Sequence, residues 1–347
     1  MKLKTVQEGV FANKKVLLRA DFNVAVSGGV VQEKFKLEAC RASVQHILAQ
    51  PEAKLALISH LGRPEGKISP EYSLGQLSDE IAQILGRKVV FVENCVGTRI
   101  AEEIGKLGSG EVLLLENVRF YEGEEENDPE FAKQLAENFD VFVNDAFSVC
   151  HRDQASVTGV AKILPSYAGL WLQKELENLN RVIREPEHPA TAIIGGAKIE
   201  TKLPLIKEFE KTYDHILVGG KIANEAADQG IEFSPKVMLP LDLAQDRLDI
   251  GPKTIEAFAH VIARSKVVVW NGPMGKFENP PYDKGTRAIL DAIVESDAFT
   301  LMGGGESVQA LEESGNMHSI NFVSTGGGAM LEYLSGAKMP GIEVLKY

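Results

Sequence analysis

Short apolar runs with almost no internal polar alternation recur along this chain. In the first half they lie at Val16 to Leu18, Leu55 to Ser59, Val89 to Val92, Val112 to Leu115 and Val141 to Val143. Between several of them, apolar residues fall three and four apart: Leu37, Cys40, Val44, Ile47 and Leu48, then Leu77, Ile81, Ile84 and Leu85. The runs predict strands buried on both faces, and the wider spacing predicts amphipathic helices. Their alternation predicts a parallel sheet covered by helices on both sides. From Leu170 to Ile183 the residues Leu172, Leu176, Leu179 and Ile183 share one helical face, and Glu-Pro-Glu-His-Pro at 185 to 189 ends that pattern. A second series then begins, with runs at Ala192 to Ile194, Ile216 to Val218, Val237 to Leu239, Val267 to Trp270, Thr300 to Met302 and Asn321 to Ser324. The expected fold class is therefore α/β, with two doubly wound parallel-sheet domains.

A length of 347 residues suits two domains of ordinary size. With 44% hydrophobic and 25% charged residues the composition is that of a globular protein, and the 32 glycines fit a fold with many tight turns. A formal net charge of −12 argues against nucleic-acid and acidic-membrane surfaces, so an anionic ligand needs a local basic cluster. Cys40, Cys95 and Cys150 form no Cys-x-x-Cys pair; they read as reduced thiols of a cytoplasmic protein. The N-terminus lacks the apolar core of a secretion signal, and no run of eighteen apolar residues occurs, so neither export nor membrane spanning is expected.

The first half sets basic and hydrogen-bonding residues just after its strands, where ligands gather in open α/β sheets. Arg19-Ala20-Asp21-Phe22-Asn23 follows the first strand, and His60-Leu61-Gly62-Arg63 the second. Glu116-Asn117-Val118-Arg119 follows the fourth, and Asn144-Asp145 leads from the fifth to His151-Arg152. Any one of these could be a structural ion-pair partner; their common position is the informative feature. Converging guanidinium groups suit a small polyanion. The acidic stretch Gly123 to Asp128 reads as a solvated loop.

In the second half glycine takes the place of arginine. Strand ends read Gly195-Gly196-Ala197-Lys198, Gly219-Gly220-Lys221, Asn271-Gly272-Pro273, Gly303-Gly304-Gly305-Glu306-Ser307 and Ser324-Thr325-Gly326-Gly327-Gly328. Such turns let backbone amides and helix starts reach phosphate oxygens. Lys198 and Lys202, four apart, would both project near one helix start and share an anion; two solvated lysines on a βα turn is the plainer alternative. Neither a Walker A sequence nor Gly-x-Gly-x-x-Gly is present.

Taken in order, these motifs resemble the phosphoglycerate kinase family. The resemblance rests on Arg-x-Asp-Phe-Asn-Val at 19 to 24, Ser-His-Leu-Gly-Arg-Pro at 59 to 64, Leu-Glu-Asn-Val-Arg-Phe at 115 to 120 and Val-Asn-Asp-Ala-Phe at 143 to 147. It continues with Gly-Gly-Ala-Lys at 195 to 198, Val-Trp-Asn-Gly-Pro-Met-Gly at 269 to 275 and Ser-Thr-Gly-Gly-Gly-Ala at 324 to 329. It implies phosphoryl transfer between 1,3-bisphosphoglycerate and ADP in glycolysis, yielding 3-phosphoglycerate and ATP with Mg²⁺, by a cytoplasmic monomer with no nucleic-acid or membrane partner. Two domains would face each other across a hinge cleft. Residues 1–169 would form the substrate domain, 170–185 a connecting helix and 186–330 the nucleotide domain, with the tail 331–347 returning to the first. Asp21, Asn23, His60, Arg63, Arg119 and Arg152 would hold the 3-phosphoglycerate moiety. Lys202, Gly251, Asn271, Glu278, Gly303, Gly304, Gly305, Glu306 and Ser307 would hold the nucleotide, with Glu306 at the metal, and Gly326, Gly327 and Gly328 would form a phosphate-binding turn. Lys36, Lys198 and Lys202 would be the catalytic cations.

Four features depart from the family pattern. Lys36 stands where the family has arginine, Glu306 where it has aspartate, and Lys221 where it has the third glycine of a turn, while the segment between Ala223 and Asp249 is short. Together they leave open a second reading, a catalytically weakened relative that binds a nucleotide or metabolite.

Overall fold

The computed structural model describes residues 2–27, 30–184 and 186–347. They fall into two compact units: unit 1 comprises Met1–Glu175 with Lys338–Tyr347, and unit 2 comprises Leu176–Ala337. The division falls inside the helix Leu170–Ile183. Of the expected connecting segment 170–185, Glu185 lies outside the described residues.

Unit 1 is built on a six-stranded parallel sheet. Its strands in chain order are β1 (Lys15–Arg19), β2 (Lys54–Ile58), β3 (Val89–Val92), β4 (Val112–Leu115), β5 (Val141–Asn144) and β6 (Ser166–Ala168). They lie in the order β3-β4-β2-β1-β5-β6. Alternate residues of β1 enter opposite cores: Val16 and Leu18 join one apolar cluster, and Leu17 joins the other. That two-sided burial is why the strand reads as an unbroken apolar run. The sixth strand escaped the sequence pattern because Ser-Tyr-Ala is short and not an apolar run. The expected helix Leu37 to Leu48 is two helices, Lys34–Ala39 and Arg41–Leu48, separated at Cys40.

Unit 2 repeats the plan with β7 (Ala190–Ile194), β8 (His215–Val218), β9 (Val237–Met238), β10 (Val267–Asn271), β11 (Phe299–Gly303) and β12 (Phe322–Val323). Their order is β9-β8-β7-β10-β11-β12, again parallel throughout. Trp270, 1% exposed, packs into its core beside Met274 and Ile289.

Two tethers shape unit 1 around its sheet. The buried carboxylate of Asp145, just past β5, accepts from the backbone N–H groups of Trp171 and Leu172 at 2.8 and 3.0 Å, satisfying free amides at the start of the helix Leu170–Ile183. Burial pushes this carboxyl up to about 6. The segment Lys338–Tyr347 packs onto the same unit through buried Met339, Ile342 and Leu345, with Gly341 N–H donating to the Cys150 carbonyl at 2.9 Å.

Candidate active site

The strands in the middle of the unit 1 sheet, β4-β2-β1-β5, are neighbours and parallel, so their C-terminal ends lie along one edge. β1 delivers Arg19, Asp21 and Asn23 there, β2 delivers His60 and Arg63, β4 delivers Arg119, and the segment after β5 delivers Arg152. Three of these ends are tied together. Asn23 Oδ1 accepts from the Gly62 N–H at 2.9 Å, and the Gly62 carbonyl accepts from Arg119 Nη1 at 2.8 Å. Gly62 has φ 63°, and a Cβ there would lie 2.4 Å from the Tyr72 ring, so only glycine fits this turn. Asp21 is buried and accepts from the Asn23 N–H, whereas Asn23 and Arg63 are exposed.

His60 sits among the cations. Burial, then the charges of Arg19, Arg119, Arg152 and Lys36, hold its pKa well below the ordinary histidine value. Lys36 therefore belongs electrostatically to the cluster, although its ammonium is paired with Glu33 at 2.8 Å. Burial lowers the Arg119 guanidinium to about 10; Arg152 adds to the effect, and Glu125 opposes it.

Beneath these groups runs a buried chain that the sequence did not reveal. Arg19 is fully buried; Nε donates to Ser156 Oγ at 2.9 Å, Nη1 to the Ala20 carbonyl at 2.6 Å, and Nη2 lies 3.1 Å from His60 Nδ1. Ser156 in turn donates through its backbone N–H and its Oγ to the Glu124 carboxylate at 2.8 and 2.6 Å. Glu124 is also fully buried. Burial raises its pKa and lowers that of Arg19, and each is offset by the charge of the other. The expectation of a solvated acidic loop is thus corrected. Its first part is the short helix Glu122–Glu125, with Glu124 turned into the core. A buried glutamate and a solvated one look alike in a polar run, so no local pattern announced it.

In unit 2 the turns after β7 and β10 touch backbone to backbone. A Cβ on Gly195 would lie 2.1 Å from the Pro273 carbonyl oxygen, and one on Gly272 would lie 2.3 Å from that of Gly195. Lys202 donates to Asn271 Oδ1, Asn271 Nδ2 donates to the Gly303 carbonyl at 2.8 Å, and the Gly272 N–H donates to Ser307 Oγ at 2.7 Å. These bonds fix the ends of β10 and β11 against the helix Ile199–Thr212. The two lysines differ: Lys198 is the exposed residue before the helix, while Lys202, in its first turn, is 9% exposed. Burial lowers the Lys202 ammonium to about 8, partly offset by the Glu306 charge.

A cavity of about 400 Å³ is lined by Lys198, Lys202, Asn271, Ser307 and Gly327, with the starts of three helices around it. Backbone amides at helix starts plus two ammonium groups are a donor set that suits phosphate oxygens. A second cavity of about 490 Å³ shares Gly196, Ala197 and Glu306 with the first and is lined further by Glu278, Lys221 and Arg247. Its wall comes from the short segment after Ala223: Arg247 is paired with Asp228 at 2.9 Å, and Asn224 Nδ2 donates to the Arg247 carbonyl at 2.8 Å. Lys221 is paired with Glu225 at 3.4 Å.

Gly251, Gly303 and Gly326 do not line either cavity. Gly251 precedes the helix Pro252–Ile262, where a Cβ would strike the Asp242 carboxylate at 2.4 Å. Gly303 ends β11 against Met330, and Gly326 donates to Ser324 Oγ. Among the described residues no group of three or more His, Cys, Asp or Glu is arranged to hold a metal ion. The exposed Glu306 lines both cavities, and one carboxylate beside phosphate oxygens is a donor set that suits Mg²⁺ carried by a nucleotide.

Comparison with known proteins identifies the family. The family model described as phosphoglycerate kinase matches residues 6–246 and 226–337. The stretches overlap within the short segment whose departure the sequence suggests. Curated proteins named phosphoglycerate kinase from Moorella thermoacetica and Pelotomaculum thermopropionicum are 39% and 37% identical over 391 aligned positions. The alignments cover 98% of this chain and of the first relative, and 99% of each with the second. Phosphoglycerate kinase structures from Coxiella burnetii and Pyrococcus horikoshii superimpose with TM-scores of 0.82 and 0.88 at 32% and 28% identity. They cover 99% of this chain and 99% and 98% of their own.

Proposed function

Because this chain belongs to the phosphoglycerate kinase family, and so moves a phosphoryl group reversibly between 1,3-bisphosphoglycerate and ADP, we propose that unit 1 holds the acid and unit 2 the nucleotide. One observation carries the assignment. Two cation pairs, each with one member hydrogen-bonded to a neighbouring strand end, occur on separate units: Arg119 and Arg152 on one, Lys198 and Lys202 on the other. The full-length likeness to curated relatives favours the enzyme over a binding module.

In this reading Arg63, Arg119 and Arg152 hold the anionic end of 3-phosphoglycerate, Asp21 and Asn23 its hydroxyl side, and His60 donates a neutral hydrogen bond. Lys198, Lys202 and the amides of the turns at Gly304 and Gly327 hold the nucleotide phosphates, while Glu278 faces the ribose. A β-phosphate oxygen of ADP attacks the acyl phosphorus, the bond to the carboxylate oxygen breaks, and the carboxylate leaves without a proton. Such a transfer needs little covalent help, so charge neutralisation and in-line positioning supply the catalysis. Lys36 is the unit 1 cation assigned to the phosphoryl group in flight. Mg²⁺, bound with the nucleotide beside Glu306, would supply further charge neutralisation.

Because the boundary between the units falls within it, the helix Leu170–Ile183 is assigned as the hinge of a closing motion that excludes water from the acyl phosphate. The three cysteines, all buried and unpaired, fit a reducing cytoplasm, and the reading takes the protein as a monomer. Calorimetric titration tests the site assignment. Arg152→Ala is expected to weaken 3-phosphoglycerate binding and leave ADP unchanged, and Lys202→Ala to do the reverse; a variant that weakened both ligands equally would overturn it.

A further inference from the structure

Arg119 and Arg152 bring two guanidinium groups to one place, and like charges so close repel. Something must balance them while no substrate is bound. The candidate is the acidic stretch at the end of the helix Glu122–Glu125. Successive helical residues point about 100° apart, and here Glu124 turns inward to Ser156 while Glu125 reaches the arginines. Glu125 Oε1 lies 3.5 Å from Arg119 Nε and 3.7 Å from Arg152 Nη1, so one oxygen sits against both cations.

These contacts are loose. A charge-assisted hydrogen bond closes to about 2.7–2.9 Å, and the buried Nε–H of Arg119 has no hydrogen-bond acceptor. The Glu125 side chain is 46% exposed, so it can turn to water at small cost. Its neighbour Glu124 behaves in the opposite way, fully buried with both oxygens hydrogen-bonded. A strut would look like Glu124. A carboxylate that half-fills an anion site and leaves its best donor unmet looks like a stand-in.

We propose that Glu125 is a built-in competitor for the anionic group of the substrate. It balances Arg119 and Arg152 while the site is free and yields them when 3-phosphoglycerate arrives. The inference rests on the reading that these two arginines hold the acid. Its consequence is weaker binding of the acid than the basic cluster alone would give, and so easier release of 3-phosphoglycerate after ATP is formed.

The test is Glu125→Gln, titrated with 3-phosphoglycerate, with inorganic phosphate as a simpler probe and with ADP as a control. The expected result is a Kd for 3-phosphoglycerate lower by about two- to fivefold, as removal of an exposed charge allows, a parallel tightening of phosphate, and no change for ADP. Glu125→Asp should stay close to the parent. In an Arg152→Ala background the gain from Glu125→Gln should shrink, which a purely structural glutamate would not produce. An unchanged or raised Kd for 3-phosphoglycerate in Glu125→Gln, with Arg152→Ala weakening it, overturns the competitor alone. If Arg152→Ala leaves the Kd unchanged, the site assignment falls and takes the competitor with it.

Discussion

Arg19 Nη2 lies 3.1 Å from His60 Nδ1. A guanidinium has donors and no acceptor, so Nδ1 must be the bare nitrogen and the ring proton must sit on Nε2. The buried arginine therefore fixes which face of the histidine can donate. We expect nitrogen-detected NMR to find His60 neutral and protonated on Nε2 at about pH 6.5, where an ordinary histidine is half charged. Below about pH 6.5 the unfolded chain takes up a proton here that the folded protein refuses. This histidine's contribution thus lowers stability as pH falls, by up to about 1.4 kcal/mol per pH unit. A ring protonated on Nδ1, or an imidazolium at pH 6.5, would contradict the arrangement.

The pairing of Arg19 with Glu124 through Ser156 sets a stability prediction. Arg19→Met leaves a fully buried carboxylate without its cation, a change that typically costs about 3–5 kcal/mol. Urea denaturation should show that loss, and Glu124→Gln in the same background should recover part of it. If Glu124→Gln made the double variant less stable still, the two charges would not be balancing each other.

Nucleotide binding should depend on pH through Lys202. Burial holds this ammonium at about 8, so above that pH the free site loses a positive charge that phosphates require. ADP affinity is expected to fall by up to about tenfold per pH unit between pH 8 and 9.5, because binding must then include uptake of a proton. Folding stability changes the other way. Between about pH 8 and pH 10 the unfolded chain holds more protons at this lysine, so its contribution to stability rises with pH. Lys202→Arg should flatten the affinity profile in calorimetric titrations run across this range.

Lys36 has a compact ammonium, already engaged by Glu33, where a guanidinium fork could meet two phosphoryl oxygens at once. We expect Lys36→Arg to raise kcat by about tenfold or more, equivalent to about 1.4 kcal/mol, with both KM values nearly unchanged. Lys36→Ala should lower kcat. Steady-state kinetics in the ATP-forming direction would settle the role, and full kcat in Lys36→Ala would remove it. Arg41 does not replace it: it is exposed and belongs to the next helix, beyond the break at Cys40.

The sheets were largely legible because a strand buried on both faces has to be apolar at every position, as in Val112–Leu115. Ser166–Ala168 pairs with β5 without that signature, so periodicity passed over it. The glycine turns and the strand-end arginines could be read because they stand next to those strands. Other contributors could not, since their roles depend on partners distant in sequence. Glu124 is an ordinary residue of an acidic run until Arg19 and Ser156 are folded around it. Asn224, Asp228 and Arg247 build a cavity wall from a segment with no motif, and Gly251 is not part of that lining, its N–H donating instead to the Asp242 carbonyl.

The returning segment Lys338–Tyr347 bears on the order in which the protein is made. Unit 2 is one continuous stretch, Leu176–Ala337, so every residue it needs is synthesised while unit 1 still lacks a part. The amide of Gly341 reaches the Cys150 carbonyl, and the Leu345 carbonyl accepts from the Lys4 amide, only once residues beyond 337 have been synthesised. Domains commonly fold in the order in which they are translated. In this chain the half that is translated first would be the last to close.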